Sequence, residues 1–432
     1  MPRALSVSGV AGVLALALAP AVAVEVDQRT CTPPSCAVLG TPRLAADGRR
    51  VLVRSTCDLD PGRNPHGRQQ LFRLDADGAR QLTPRNLATR GCALDVAADA
   101  TLDRVVAVVT CDPPPRSRLF ESRGGRRLRP LGAWVPCDVE LEPGAMSGDG
   151  EHLAVTASCR PGDGASLRHP PALLAHDAGR TGFAREPGPD CRVLFAGLDG
   201  GGGAAAFVAD CDPDGANPAR LFQLFHDDRR HGGRLTQLSA LVPFTDCGFD
   251  EPIGSGLFAR PSISADGSTV AVGASCVAPL ADPVRVAARV FRWHVATGVE
   301  ALTADYCVDR PDGDDGSLGL SLVQPPIGLS ADGGVVAFVM ACGLLDASAD
   351  NDVRVFVHRD GPPASVRELV GYRKHQGVLG VSGVALTPDA ATLAFVSDGA
   401  VGGCPTTGGG QVYVLRDLAT PGVTATRCAC GS

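Results

Sequence analysis

Aromatic residues make up 4% of this 432-residue chain. That is too few for a core built on rings, so Val, Leu and Ala must supply most of the buried apolar surface. Lysine is almost absent: Lys374 is the only one, and every other basic residue is arginine. Beyond the N-terminal segment no long apolar run occurs, which excludes a further membrane-spanning helix. Gly-x-Ser-x-Gly, His-Glu-x-x-His, a phosphate loop and a dinucleotide fingerprint are all missing. The enzyme classes that announce themselves by such motifs are therefore set aside. There is no Cys-x-x-Cys either, which removes the usual zinc knuckle.

What is present points to short strands and many turns. The chain holds 53 Gly, 34 Pro and 16 Cys, a composition that disfavours long helices. Residues 1–23 have the features of a secretory signal peptide: Arg3, the apolar stretch from Val10 to Ala19, and small residues at Ala21 and Ala23. Removing them takes away one arginine and no acid, so the net charge moves from −7 to −8. This argues against nucleic acid as a partner. Sixteen cysteines behind such a segment imply an oxidising compartment, secreted or periplasmic, and a disulfide framework.

The dominant feature is a repeat. Six apolar runs end in a cysteine: Cys57, Cys111, Cys159, Cys211, Cys276 and Cys342. A seventh run, Leu393 to Asp398, has the same shape without the cysteine. Asp-Gly turns precede the runs, as at Asp47-Gly48, Asp149-Gly150, Asp266-Gly267 and Asp332-Gly333, and supply the positive-φ position of a tight hairpin. A third strand follows, for example Gln70 to Leu74, Arg220 to Leu224 and Gln411 to Leu415, and then a short fourth. In the third unit, the least regular, the third strand is placed near Ala172 to Ala175. Four antiparallel strands per unit predict an all-β, seven-bladed β-propeller. The blades fall at residues 37–85, 86–132, 133–187, 188–240, 241–303, 304–369 and 370–432, within a single domain over 24–432.

The phrases Leu329 to Val339 and Leu386 to Val396 carry the resemblance to a family. They are similar to TolB-type propeller repeats, in which a Ser-Pro-Asp-Gly turn precedes an apolar strand. Asp350 to His358 resembles the loop and strand of secreted bacterial propellers in the same way. The resemblance covers residues 37 to 427 and implies a fold, not a function.

A second set of cysteines, Cys36, Cys92, Cys137, Cys191, Cys247 and Cys307, alternates with the strand-end set. Pairing within each blade is favoured, because the entry to the first strand and the exit of the second share one face of a propeller blade. The alternative pairs each strand-end cysteine with the next linker, but the linker after Cys342 offers no partner. Cys31, Cys404, Cys428 and Cys430 remain. Cys404 is within reach of Cys428 or Cys430, and the other is left to join Cys31 across the chain ends.

Acidic loops on the same face suggest calcium. Asp58, Asp60 and Asn64 form one set, Asp212, Asp214 and Asn217 a second, and Asp350 and Asp352 belong to a third. Such oxygen donors suit Ca²⁺; the same residues also cap tight turns by bonding their own backbone. No other cofactor is indicated. His226 and His231 flank Asp227 and Asp228, and a solvated loop is expected there ahead of a metal site. Three function classes remain open. The first is a binding or scaffold protein that holds a protein, peptide or glycan on one face. The second is a hydrolase or lyase acting on a polymer in the central channel, and the third a structural envelope component. No catalytic residue is nominated. A cluster of charged residues in the channel favours the enzyme, and an exposed apolar patch favours binding.

Overall fold

The structure is a computed structural model. It describes residues 24–84, 92–111, 116–135, 139–157, 172–177, 180–183, 193–212, 215, 217–218, 222–228, 234–240, 247–248, 260–277, 286–303, 323–341, 353–360, 365–372, 381–401, 403–405, 409–418 and 423–429. These form an all-β propeller of small, mainly antiparallel sheets. Six sheets are each built from consecutive strands; the first, for example, orders Val38–Leu44, Val51–Ser55, Gln70–Asp75 and Gly78–Gln81. The remaining sheet is composite. Val24–Gln28 inserts between Gln411–Arg416, antiparallel, and Val423–Arg427, parallel. The repeat predicts seven blades; the ring shows six built from consecutive strands, and the last repeat instead shares a composite sheet with the chain start. The last repeat takes a strand from the chain start, because a closed ring leaves no unpaired edge.

Four units share one hairpin-turn pattern. Ser147, Ser264, Ser330 and Thr387 each donate the side-chain hydroxyl to the aspartate two residues on, at 2.6 Å in every case. The same hydroxyl oxygens accept the amides of His152, Thr269, Val335 and Thr392. The Ser330 and Thr387 hydroxyls hold the Asp332 and Asp389 carboxyls below the usual carboxylate range. Gly333 sits at φ 73°, a region that suits glycine.

The few aromatics are spent in one place. Phe207 stacks on Phe225, Phe338 on Phe356 and Phe395 on Tyr413, with centroids 5.5 to 5.6 Å apart. Each pair stands directly across neighbouring second and third strands of its sheet. Phe72, Phe120 and Phe291 fill the matching third-strand position elsewhere, opposite Val53, Ala107 and Val272. One or two large rings in each of these six sheets let a core of small side chains fill its space.

The sheets are tied to one another through these turns. Ala46 donates its amide to Ala100 O, Ala100 to Gly148 O, Gly200 to Ala265 O, Ala265 to Ala331 O and Ala331 to Pro388 O, while Asp149 donates to Gly200 O. The relay ends at Pro388, which has no amide hydrogen to give. Side chains repeat the link at larger radius. Arg416 bonds Gly48 O, Arg104 bonds Gly150 O, His226 bonds Gly267 O, Arg292 bonds Gly333 O and Arg359 bonds Ala390 O. Each cation or imidazole reaches a carbonyl of the next sheet's turn, and Arg416 carries the pattern from the last sheet to the first.

The chain ends are locked by a buried amide. Gln411 accepts from Thr32 N and the Thr30 hydroxyl, and donates to Thr32 O and Gly409 O. Val26 is fully buried in the same cluster as Phe395, Tyr413 and Leu415. Three disulfides are described: Cys36–Cys57, Cys92–Cys111 and Cys404–Cys428. The second joins the start of an inner strand to the end of the second strand, and the first joins the residues just before and just after the corresponding strands of its sheet. Cys247 and Cys276 face each other in the ladder of the fifth sheet, as Cys92 and Cys111 do in the second. Cys31 and Cys211 are also disulfide-bonded. Cys137, Cys159, Cys191, Cys307, Cys342 and Cys430 lie outside the described residues, as do residues 1–23. No helix among the described residues is long and apolar enough to cross a membrane.

Candidate channel site

The innermost strands carry charges among their apolar side chains, Asp95 between Leu94 and Val96 and Glu140 between Val139 and Leu141. Arg43 lies on Val38–Leu44, Asp95 on Cys92–Ala98 and Glu140 on Val139–Glu140, with Glu142 two residues further on. Arg260 precedes Ser262–Ile263 in the fifth sheet. The register of the first sheet shifts between Leu39 and Arg43, across Gly40, Thr41 and Pro42. The sixth sheet shifts likewise between Gln324 and Gly328, across two prolines. Such bulges re-aim inner-strand side chains. Gly40, at φ 63°, has no room for a β-carbon because the Arg54 guanidinium lies against it.

These side chains line a cavity of about 500 Å³. A second cavity of about 250 Å³ runs on past Ala100, Gly148, Gly200 and Pro388, at the turn relay. Arg43, Glu142 and Arg260 line both, and so stand at the waist between them. Arg54 donates to Leu94 O at 2.6 Å and to Asp95 Oδ1 at 3.1 Å, bridging the first and second sheets. Arg260 Nε lies 3.2 Å from Glu142 Oε2, joining the fifth sheet to the third.

Burial dominates the electrostatics. It pushes the Glu142 carboxyl up to about 7, against the pull of Arg260; Asp95 and Glu140 push the same way and Arg43 opposes. Burial also lowers Arg43 to about 9, and the positive charges of Arg260 and Arg54 add to the fall while Glu142 resists it. Arg54 is lowered and Asp95 raised, in both cases by burial first, and each restrains the other's shift. Three arginines and three carboxyls therefore line one cavity, with Glu142 buried, Arg54, Asp95 and Arg260 part-exposed and Glu140 exposed. A carboxyl that titrates near neutrality beside buried cations can hold or release a proton at working pH.

The acidic loops do different work. Asp58 accepts the amides of Gly62, Arg63 and Asn64. The Asn64 side chain donates to Thr56 O, Cys57 O and Arg68 O, and Asp60 accepts from Gln81 N. In the fourth sheet Asp212 accepts from Asn217 N, whose side chain donates to Cys211 O. Their oxygens are engaged with the loop's own backbone, the turn-capping alternative to calcium. Asp214, Asp350, Asp352 and His231 lie outside the described residues. Among the described residues no group of three His, Cys, Asp or Glu is placed to hold a metal. His226 is not in a solvated loop. It is buried in the strand Gln223–Asp228, bonded to Gly267 O and tilted against Trp293. The alternation that marks the core also hid the channel: its charges sit in four different units, so no local spacing unites them. The one available signal was charge inside otherwise apolar first strands.

No known family matches the chain, and no curated protein matches it. Solved structures do. An oligogalacturonate lyase in complex with manganese is 13% identical over 93% of this chain and 97% of its own, with a TM-score of 0.51. Prolyl oligopeptidase B from Galerina marginata is 11% identical over 89% of this chain and 49% of its own, with a TM-score of 0.52. A TolB candidate from Agrobacterium tumefaciens is 16% identical over 87% of this chain and 89% of its own, with a TM-score of 0.35. At these identities the likeness establishes the β-propeller fold alone.

Proposed function

We propose that this is a secreted or periplasmic binding propeller that takes a polar ligand, a glycan or a peptide end, into its central channel. The observation that carries the reading is the convergence of Arg43, Arg54, Asp95, Glu140, Glu142 and Arg260 on one cavity of about 500 Å³, a size typical of ligand pockets. The site thus moves from the loop face, where the sequence alone would put it, to the ring's axis. An open-face docking surface has less support: the exposed large hydrophobics among the described residues are Leu131, Trp134 and Val295, and Arg116 lies over the Trp134 ring at 5.1 Å. The disulfides fit an oxidising compartment, reached after removal of residues 1–23.

A second reading is an acid–base enzyme acting on a polymer, a lyase or hydrolase. Glu142, poised near neutrality, favours it. The lyase neighbour extends this only by analogy of fold. One experiment separates the two. Calorimetric titration with acidic and neutral oligosaccharides and with short peptides is followed by analysis of each mixture for cleaved product. Binding without product supports the binding propeller, product that disappears in Glu142→Gln supports the enzyme, and no heat with any probe refutes both.

A further inference from the structure

Among the arginines of the cluster, Arg43 is the one with a buried nitrogen that its neighbours leave unsatisfied. Its Nη2 is buried and has no hydrogen-bond partner among the described residues, and none of their carboxylates lies within ion-pair distance of it. Arg54 is committed to Leu94 O and Asp95, and Arg260 faces Glu142. A guanidinium nitrogen held out of water without an acceptor is costly, and such a group lining a cavity is a candidate ligand anchor. Arg43 also stands at the waist of the two cavities, where a ligand entering either one meets it.

Resting on the channel reading above, we propose that Arg43 anchors the carboxylate of a small hydroxy acid, a sugar acid in size and polarity, with Arg54 and Arg260 completing the positive wall. A planar, two-oxygen carboxylate matches the fork of a guanidinium. Thr41, Ser382, Asp95 and Glu140 line the same cavity and offer partners for hydroxyl groups. Glu142 competes for this wall. Its carboxylate faces Arg260, with Arg43, Asp95 and Glu140 around it. When Glu142 takes up a proton the wall gains net positive charge, so affinity for the acid rises as pH falls through neutrality. The acid has two sources, a free monosaccharide acid or the terminal residue of an acidic polymer.

The test uses the mature protein with four probes: galacturonate, trigalacturonate, galactose and sulfate. Thermal midpoint and calorimetric affinity are read at pH 6 and pH 8. Galacturonate is expected to raise the midpoint, more at pH 6, and galactose to leave it unchanged. Arg43→Gln is expected to weaken galacturonate by about thirtyfold or more. The ligand-free midpoint of that variant is expected to stay level or rise, because an unpaired buried charge is gone; a purely structural Arg43 would lower it. Glu142→Gln is expected to bind with little pH dependence. Trigalacturonate binding alone assigns the polymer end as the source. Galactose binding as tightly as galacturonate overturns the carboxylate anchor while leaving the channel reading intact. Sulfate acting as strongly as galacturonate in both wild type and Arg43→Gln overturns it as well, and no shift with any probe overturns both readings.

Discussion

Glu142→Gln tests the channel electrostatics without any ligand. Burial lifts the Glu142 carboxyl from 4.5 to about 7 in the folded chain. Between those values the folded protein keeps a proton that the unfolded chain has released. The stabilising contribution is therefore complete below about pH 4.5 and is lost as pH rises through about 7. At about 1.4 kcal/mol per pH unit, the rise sets a ceiling of about 3 kcal/mol, and linkage places about 2.5 kcal/mol of it between about pH 5 and pH 8. Glutamine mimics the protonated acid and keeps an acceptor for Arg260, so the variant should lose this pH dependence. Urea unfolding of both proteins across that range supplies the assay. The difference between them isolates Glu142. Asp95, also raised by burial, acts with the same sign, and His358, lowered by burial, with the opposite sign, but both are present in each protein. A difference that is flat, or that grows in the other direction, refutes the argument and with it the view that this carboxyl is desolvated.

Three further outcomes follow from the fold. Replacing Cys92 and Cys111 together by serine removes a bridge spanning 19 residues and should lower unfolding free energy by about 3 kcal/mol, read as a lower urea midpoint in non-reducing buffer. Gln411→Ala strips partners from Thr30, Thr32 and Gly409 at the seam between the chain ends. It should cost about 2–3 kcal/mol and speed hydrogen exchange in Val24–Gln28 ahead of the rest of the ring. Gly333→Ala puts a β-carbon at φ 73° against the Thr269 side chain. A cost of about 1–2 kcal/mol or more is expected, while the same change at Gly62, whose surroundings are open, should show the backbone strain without the clash.

Much of the fold was legible because the repeat is local. Each hairpin turn is written in four or five adjacent residues, such as Ser330 to Gly334, and the apolar strand follows it directly. Even the irregular third unit placed its third strand within Ala172–Asp177. The closing strand Val24–Gln28 was not legible. It has the alternation of a strand, but its partners are nearly four hundred residues away, and one of them is parallel. Asp58 and Asp212 read in sequence as ligands or as turn caps, and amides of their own loops donate to them. The setting of His226 was not legible, because its acceptor, Gly267 O, belongs to the next sheet.

By itself the chain determined a repeated four-strand unit, its turn chemistry and a supply of cysteines for disulfides, since each depends on residues close together or on counts. The tertiary structure alone decided how the ring closes and what lines its axis. Closure pairs the two chain ends through Gln411 and Val26, and the axis gathers Arg43, Asp95, Glu142 and Arg260 from separate sheets. Coulomb interactions and desolvation act through space, so the charges that now define the site acquire their meaning only when the ring brings them together.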